Sequence, residues 1–361
     1  MQVLDRGRLT AITAVRYSAS TPSHRQCAVS FVGQASFRIL ASRYIQVWIT
    51  AGSWLSSVTH DADLRASRES VLNRYDVIVK RILVTGATGT VGRQVVAQLL
   101  DSGAHVRALT RDPDRAELPR QVELFRGDLT APETIEASLR DADAVFLVWT
   151  AAADAFAAAL ARIAQHTGRV VLLTSPHKTP HPFFQQPNPM ASMHKNMERL
   201  ICESGLASTF VRPGMFAANA LGWWAARIRE HDVIRWPYGD AATAPIDEHD
   251  IAAVAVHALF DDSPGSAEYM ITGPQSLTQR EQVATIGEVI GRTLRFEEIG
   301  PDDAQRELGF PRAAIDMLLN AWSAAITLPA YVTTTVAQVT GTPARTFAEW
   351  VRSHKQAFGR A

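Results

Sequence analysis

Residues Arg81 to Gly92 read RILVTGATGTVG. A β-branched run ends in a glycine-rich turn, and Arg93 to Leu100 continues with the spacing of an amphipathic helix. Glycines at 86, 89 and 92 let the chain turn sharply, bring bare backbone close to a ligand, and pack the helix onto its strand. The helix N-terminus adds N–H groups and partial positive charge, the arrangement that holds a pyrophosphate. Three spaced glycines alone are a weak signal; here they follow a strand and open a helix, which is the context a dinucleotide site requires. The residues that meet the cofactor are then Gly86, Thr88, Gly89, Thr90, Val91 and Gly92.

From this turn the pattern runs forward as alternating strand and helix signals. Strands are predicted at Arg81 to Thr85, His105 to Thr110, Val122 to Phe125, Ala144 to Trp149, Arg169 to Thr174 and Ser208 to Arg212. Helices fall between them, one introduced by Thr130, Ala131 and Pro132, one alanine-rich to His166, and one over Ala191 to Ser204. Such alternation gives parallel strands covered on both faces. The fold class is α/β, a Rossmann doubly wound sheet of six strands within residues 79–361. Past Pro213 the order loosens: helices near Met215 to Arg229, Asp250 to Phe260 and Leu277 to Ile290, and short strands near Glu268 to Thr272 and Thr293 to Glu297. Residues 213–361 read as mainly a small C-terminal substrate-covering subdomain, because ligands of open α/β sheets sit outside the carboxyl ends of the strands.

Residues 1–78 are of a different kind. They contain no lysine, nine arginines, many serines and few acids, with no sustained period. The apolar portion from Phe37 to Leu55 is interrupted by Arg38 and Arg43 and is too short for a membrane span. A transit peptide fits an arginine-rich, acid-poor leader; a mis-set gene start, with Val77 or Val79 near the true one, or a disordered extension fits better. The 361-residue chain has 36 basic and 36 acidic residues, so bulk charge recruits neither nucleic acid nor an acidic partner. Two cysteines, Cys27 and Cys202, form no disulfide framework and suit the cytoplasm. The 11 histidines lack metal-ligand spacing, and neither a Gly-x-Ser-x-Gly elbow nor a phosphate loop is present.

The adenosine ribose meets the end of the second strand, where the sequence reads Thr110, Arg111, Asp112. An acid in the last strand position selects NAD(H); an arginine that can hold a 2′-phosphate with paired donors selects NADP(H), the cofactor preferred here. The competing role of Arg111 is a solvated partner for Asp112 or Asp114. Asp128 stands either at the adenine edge or as the cap of the following helix.

GATGTVGR, the TRDP after the second strand, GDL at 127–129, HKNMERL at 194–200, SGLASTFVRPGMFAAN at 204–219 and RTFAEW at 345–350 together resemble the NmrA-like branch of the atypical short-chain dehydrogenase/reductases. The resemblance runs from about residue 80 to 357. It implies an NAD(P)-binding fold shared by reductases of quinones, azo dyes, enones and imines and by non-catalytic NADP(H)-sensing regulators that act through a protein partner. Fold alone does not choose between them. A typical member of the wider superfamily uses Tyr-x-x-x-Lys. Here the tyrosine position falls on Met190 and the lysine position on His194, while Lys195 lies about 100° round the helix.

The resemblance further implies His194 and Ser175 as catalytic and cofactor-contacting residues. His194 is otherwise a polar helix residue, and Ser175 with Pro176 otherwise makes a turn. Trp149 and Thr150 end the fourth strand and are expected to wall the nicotinamide. Pro213, Met215, Phe216 and Asn219 follow the sixth strand and are expected to meet a small apolar substrate, whereas Trp223 and Trp224 are read as core. The leading expectation is an NADPH-dependent reductase. The apolar residues after strands four and six favour it, and the missing tyrosine favours the sensor.

Overall fold

The computed structural model describes residues 36–40, 46–50 and 79–359. Ser36–Leu40 pairs antiparallel with Gln46–Thr50. The readings of 1–78 as a leader, a disordered extension or a mis-set start otherwise lie outside the described residues.

From Lys80 onward the elements run β1 (Arg81–Val84), α1 (Thr90–Asp101), β2 (His105–Thr110), β3 (Glu123–Arg126), α2 (Glu136–Leu139), β4 (Ala144–Val148), α3 (Phe156–His166), β5 (Arg169–Leu173), α4 (Pro189–Glu203) and β6 (Ala207–Pro213). They continue through α5 (Ala226–Glu230), β7 (Val233–Trp236), β8 (Ala242–Thr243), α6 (Glu248–Phe260), β9 (Ser266–Ile271), β10 (Leu277–Thr278), α7 (Gln279–Ile290) and β11 (Arg295–Glu298). The C-terminal helices include α8 (Pro301–Glu307), α9 (Arg312–Ala325), α10 (Thr335–Thr340) and α11 (Phe347–Ser353).

The main sheet is parallel, in the order β9-β6-β5-β4-β1-β2-β3. Its central strands are apolar and buried on both faces, as a sheet with helices on either side demands. On one face Val84, Val171 and Val211 pack with α1 and with Ile251, Val254 and Ala255 of α6. On the other, Leu83, Leu147, Leu172 and Phe210 pack with α3 and α4.

Two features depart from the sequence reading. The sheet has seven strands rather than six, because Ser266–Ile271 pairs along β6 instead of joining the C-terminal cover. That strand opens with Ser266, Ala267 and Glu268 and carries only one buried residue, Ile271, so its composition is that of an edge. Helix α6 likewise lies on the sheet, which leaves a smaller cover. The helix expected over Met215 to Arg229 begins late: a π-helical turn, Leu221–Ala225, runs into α5. The cover has its own core around Trp224, Trp236, Trp322 and Trp350, all fully buried, with Trp223 against three of these rings. The reading of Trp223 and Trp224 as core holds.

Candidate active site

The strand order reverses between β1 and β4, and the glycine turn sits at the carboxyl edge of that crevice. Gly86 has φ of +60°, a backbone that side-chain-bearing residues resist, and a Cβ there would lie 3.0 Å from the Val148 side chain. A Cβ at Gly92 would stand 2.0 Å from the Gly86 carbonyl oxygen, so only glycine lets α1 approach the turn this closely. The Gly89 N–H donates to the Gly86 carbonyl at 2.9 Å, and Arg93 ties the turn to the Ala116–Glu117 backbone. Gly86, Thr88, Gly89 and Thr90 are exposed while Val91 and Gly92 are buried. The result is a rigid, bare length of main chain ahead of a helix N-terminus, which fits a diphosphate.

At the end of β2, Arg111 is exposed. The two acids that competed for it are engaged elsewhere: Asp112 lies 3.6 Å from Arg115, and Asp114 is 3.3 Å from Arg126. Asp128 Oδ1 accepts from both the N–H and the hydroxyl of Thr130, at 2.9 and 2.8 Å. Those bonds, with the charge of Arg111 adding to them, hold its carboxyl below the usual carboxylate range. Asp128 therefore caps the local turn at least through that oxygen.

The fourth-strand end needs a correction. Trp149 is 3% exposed, edge-on to Phe156 at 5.0 Å, and its indole N–H donates to the Ala152 carbonyl, so the ring is core and does not wall a pocket. An apolar ring at a position facing α3 finds more buried surface there than at the crevice. Thr150 is exposed.

At the ends of β5 and β6 and on α4 a polar group gathers. Met190, at the tyrosine position, is 58% exposed, so α4 offers no donor there. His194 is 8% exposed and its Nδ1 has no partner among the described residues, whereas Lys195 is exposed on a different side of the helix. Burial pushes the His194 imidazole below its ordinary pKa, Glu198 opposing and His177 adding to the shift. Ser175 Oγ is also buried without a partner among the described residues, and the Ser175 carbonyl stands 3.1 Å from His177 Nδ1.

Below them Glu198 is 5% exposed and Arg212 3%. Arg212 Nε donates to Glu198 Oε1 at 3.0 Å, its Nη2 reaches Oε2, and Thr174 donates to Oε1 at 2.9 Å. Arg212 also donates to Glu268 at 2.6 Å, and Lys178 meets the same carboxylate at 2.5 Å. These bonds hold the Glu268 carboxyl well down, to about 2. His177, Glu198 and Arg212 were missed as a group in the sequence. Glu198 lies four residues after His194, hence on the same helix face, and an arginine inside the apolar run Thr209 to Pro213 was the remaining signal.

The four expected substrate residues separate. Met215 lines a cleft with His181, Phe183, Phe184, Thr243 and Tyr331, at the ends of β6 and β9. Pro213 is buried as the last residue of β6, paired with Ile271. Phe216 forms a bridge with Ile246 and packs against the sheet core rather than lining the cleft, because that bridge turns the chain back toward α6. Asn219 is half-buried in the following turn. Among the described residues no cluster of His, Cys, Asp and Glu is arranged for a metal ion, and no helix is long and apolar enough to cross a membrane.

This sheet with this turn defines a dinucleotide-binding protein of the Rossmann type. A family model described as NAD(P)H-binding matches residues 86–262. The (4-alkanoyl-5-oxo-2,5-dihydrofuran-3-yl)methyl phosphate reductase of Streptomyces griseus is 37% identical over 286 residues, which are 77% of this chain and 99% of that protein. The NAD(P)H azoreductase of Xenophilus azovorans is 37% identical over 292 residues, 78% of this chain and 100% of that one. Among solved structures, an NADPH-dependent quinone oxidoreductase from Escherichia coli matches with a TM-score of 0.64 at 22% identity, covering 76% of this chain and 99% of its own. Triphenylmethane reductase from Citrobacter matches with a TM-score of 0.66 at 18% identity, covering 77% and 99%. These two likenesses show the shared fold. The chain belongs to the NAD(P)H-binding family of reductases related to the atypical short-chain dehydrogenase/reductases, and its activity is that of an NAD(P)H-dependent reductase.

Proposed function

We propose that this reductase works in the cytoplasm, prefers NADPH, and passes its hydride to a small apolar electrophile of quinone, azo, enone or imine type. The observation that carries the reading is the bare glycine turn together with an exposed arginine at the end of β2 whose sequence neighbours Asp112 and Asp114 pair with other arginines. Gly86, Thr88, Gly89 and Thr90 would hold the diphosphate, and Arg111 would hold a 2′-phosphate with paired N–H donors. The cofactor supplies the hydride; the chain binds and orients it. Ser175 Oγ and His194 Nδ1, buried and without partners among the described residues, would complete their hydrogen bonds with cofactor or acceptor.

The acceptor class follows from what the site lacks and what lies beside it. No tyrosine on α4 is available to protonate an alkoxide, so acceptors whose reduced form spreads its charge over a conjugated oxygen or nitrogen are favoured over simple ketones. The cleft at Met215 is lined by aromatic and small apolar side chains. Three of its polar members are already engaged, His181 with Phe183 N–H and the Pro329 carbonyl, Thr243 with Gln282 and Thr272 with Gly273, which leaves the half-exposed Tyr331 as its remaining hydroxyl. A neutral, flat acceptor suits such walls. The names of the azoreductase and quinone oxidoreductase relatives point the same way. The test is to mix the purified protein with NADPH and a panel of quinones, azo dyes and enones and follow absorbance of the reduced nicotinamide. Consumption with at least one acceptor is expected. Binding of NADPH with no consumption by any acceptor would instead favour a sensor.

A further inference from the structure

Between α9 and α10 the chain runs as a strap, residues 326–332, whose backbone is tied down along its length. Ile326 bridges to Ala241, the Pro329 carbonyl accepts from His181 Nε2 at 3.0 Å, and the Ala330 N–H donates to Ser276 Oγ at 2.8 Å. Just beyond it the Thr333 N–H donates to Thr272 Oγ1 at 2.9 Å. Thr327 has φ of +65°, a backbone that a β-branched residue keeps only where its surroundings impose it. The main chain is therefore fixed on both sides of Tyr331.

The side chains of the strap are less well covered than its backbone. Among the described residues seven large apolar side chains are exposed, and four of them, Ile326, Leu328, Tyr331 and Val332, fall here. Apolar surface gathered in one place marks a contact with something else. Of the four, only Tyr331 also lines the cleft at Met215, and it is 38% exposed. The cleft has no Asp, Glu, Lys or Arg in its walls, so its occupant is uncharged. Gly214 and Met215 follow β6 and Thr272 follows β9, which sets the cleft at the carboxyl edge of the sheet. The glycine turn follows β1 on that same edge, three strands from β6, about 14 Å at the ordinary strand spacing. Ligands of an open parallel sheet lie along this edge.

We propose that Tyr331 is the residue that selects flat, uncharged aromatic acceptors, its ring lying against theirs. This rests on the reductase reading above. Phe183 and Phe184, edge-on at 5.0 Å and packed into the core of the cover, are the settled part of the lining; the strap is the part still open to water. An aromatic acceptor against Tyr331 takes apolar surface out of water and adds a ring–ring contact that a non-aromatic acceptor lacks. The contact is the same before and during hydride transfer, so it acts on KM and leaves kcat alone.

The experiment measures kcat and KM for an aromatic acceptor, 1,4-naphthoquinone or an azo dye, at saturating NADPH in wild type, Tyr331→Ala, Tyr331→Leu and Tyr331→Phe. The Ala and Leu variants should raise KM at least about threefold, the worth of a lost ring contact. Their kcat and their NADPH dissociation constants should stay within about twofold of wild type. The Phe variant keeps the ring and should keep the wild-type KM. Val332→Ala, next on the strap but outside the cleft lining, should leave both constants unchanged. A smaller rise in KM, a matching rise in the Phe or Val332 variant, or a loss that falls on kcat instead overturns the proposal. So does failure of both the Ala and the Leu variant to fold, because it would make Tyr331 part of the core. Wild type that reduces only non-aromatic enones overturns this proposal and leaves the reductase reading standing, whereas no consumption of NADPH with any acceptor removes both.

Discussion

The Arg212 guanidinium donates through Nε to Glu198 Oε1 at 3.0 Å and through Nη2 to Oε2, joining β6 to α4 with both side chains almost wholly buried. Two charges out of water are tolerable only while each has its partner. Removing Glu198 leaves Arg212 only the half-exposed Glu268, at a cost of up to about 3–5 kcal/mol. Glu198→Ala should lower the free energy of unfolding by about that amount, read from urea denaturation. Glu268→Ala leaves Arg212 its buried partner and should cost much less. Equal losses from the two variants would show that the pair is not the anchor.

Gly92 tests the turn. A methyl group placed 2.0 Å from the Gly86 carbonyl oxygen must push α1 off the turn. Gly92→Ala should weaken NADPH binding by at least about tenfold and cost about 1–3 kcal/mol of stability through overpacking. Gly103→Ala, a positive-φ site with open space around it, should disturb stability but leave cofactor affinity unchanged. Titration of both variants with NADPH checks the contrast.

Arg111 tests cofactor choice. A charged hydrogen bond to a phosphate is worth roughly 1.5–3 kcal/mol, so Arg111→Ala should weaken NADPH binding by about tenfold to a hundredfold. NADH binding should change by less than about threefold. Equal losses for both cofactors would place the arginine's role elsewhere.

Acid should loosen the fold through the two buried histidines. Burial lowers the pKa of His177 and of His194 below the unfolded value near 6.5, so the unfolded chain binds more protons as pH drops past that point. Their contribution is fully present above 6.5 and is lost as pH falls through the lower folded values. Glu268, with a folded value of about 2 against 4.5, adds a second loss as pH falls from 4.5 toward 2. Its partial exposure keeps that part small. Glu248, raised chiefly by burial, acts with the opposite sign: it favours the fold in acid and loses that contribution as pH rises from 4.5 through its folded value. Melting temperature should therefore fall between pH 7 and 5, and replacing both histidines with glutamine should flatten that interval.

The sheet was legible because period and punctuation agreed along it. β2 spans His105–Thr110 as predicted, with buried residues Val106, Ala108 and Leu109, and Gly103 and Gly205 mark the breaks after α1 and α4. The edge strand Ser266–Ile271 was not assigned to the sheet, since its polar composition says strand without saying which neighbour it joins. Local pattern placed the glycine turn and Arg111. Trp149 shows the limit: being last in a strand fixes where the backbone goes, but burial against Phe156 decides which way the ring turns. His177, Glu198 and Arg212 lie on a loop, a helix and a strand, so only the folded chain brings them together.

The central claim, that NADPH is held at the turn after Val84, is tested most directly by an equilibrium titration of the folded protein with NADPH, following fluorescence of the reduced nicotinamide. The account predicts saturable binding, tighter for NADPH than for NADH and lost when Gly92 is replaced by alanine. Absence of binding by both dinucleotides, or binding unaffected by that replacement, would contradict it.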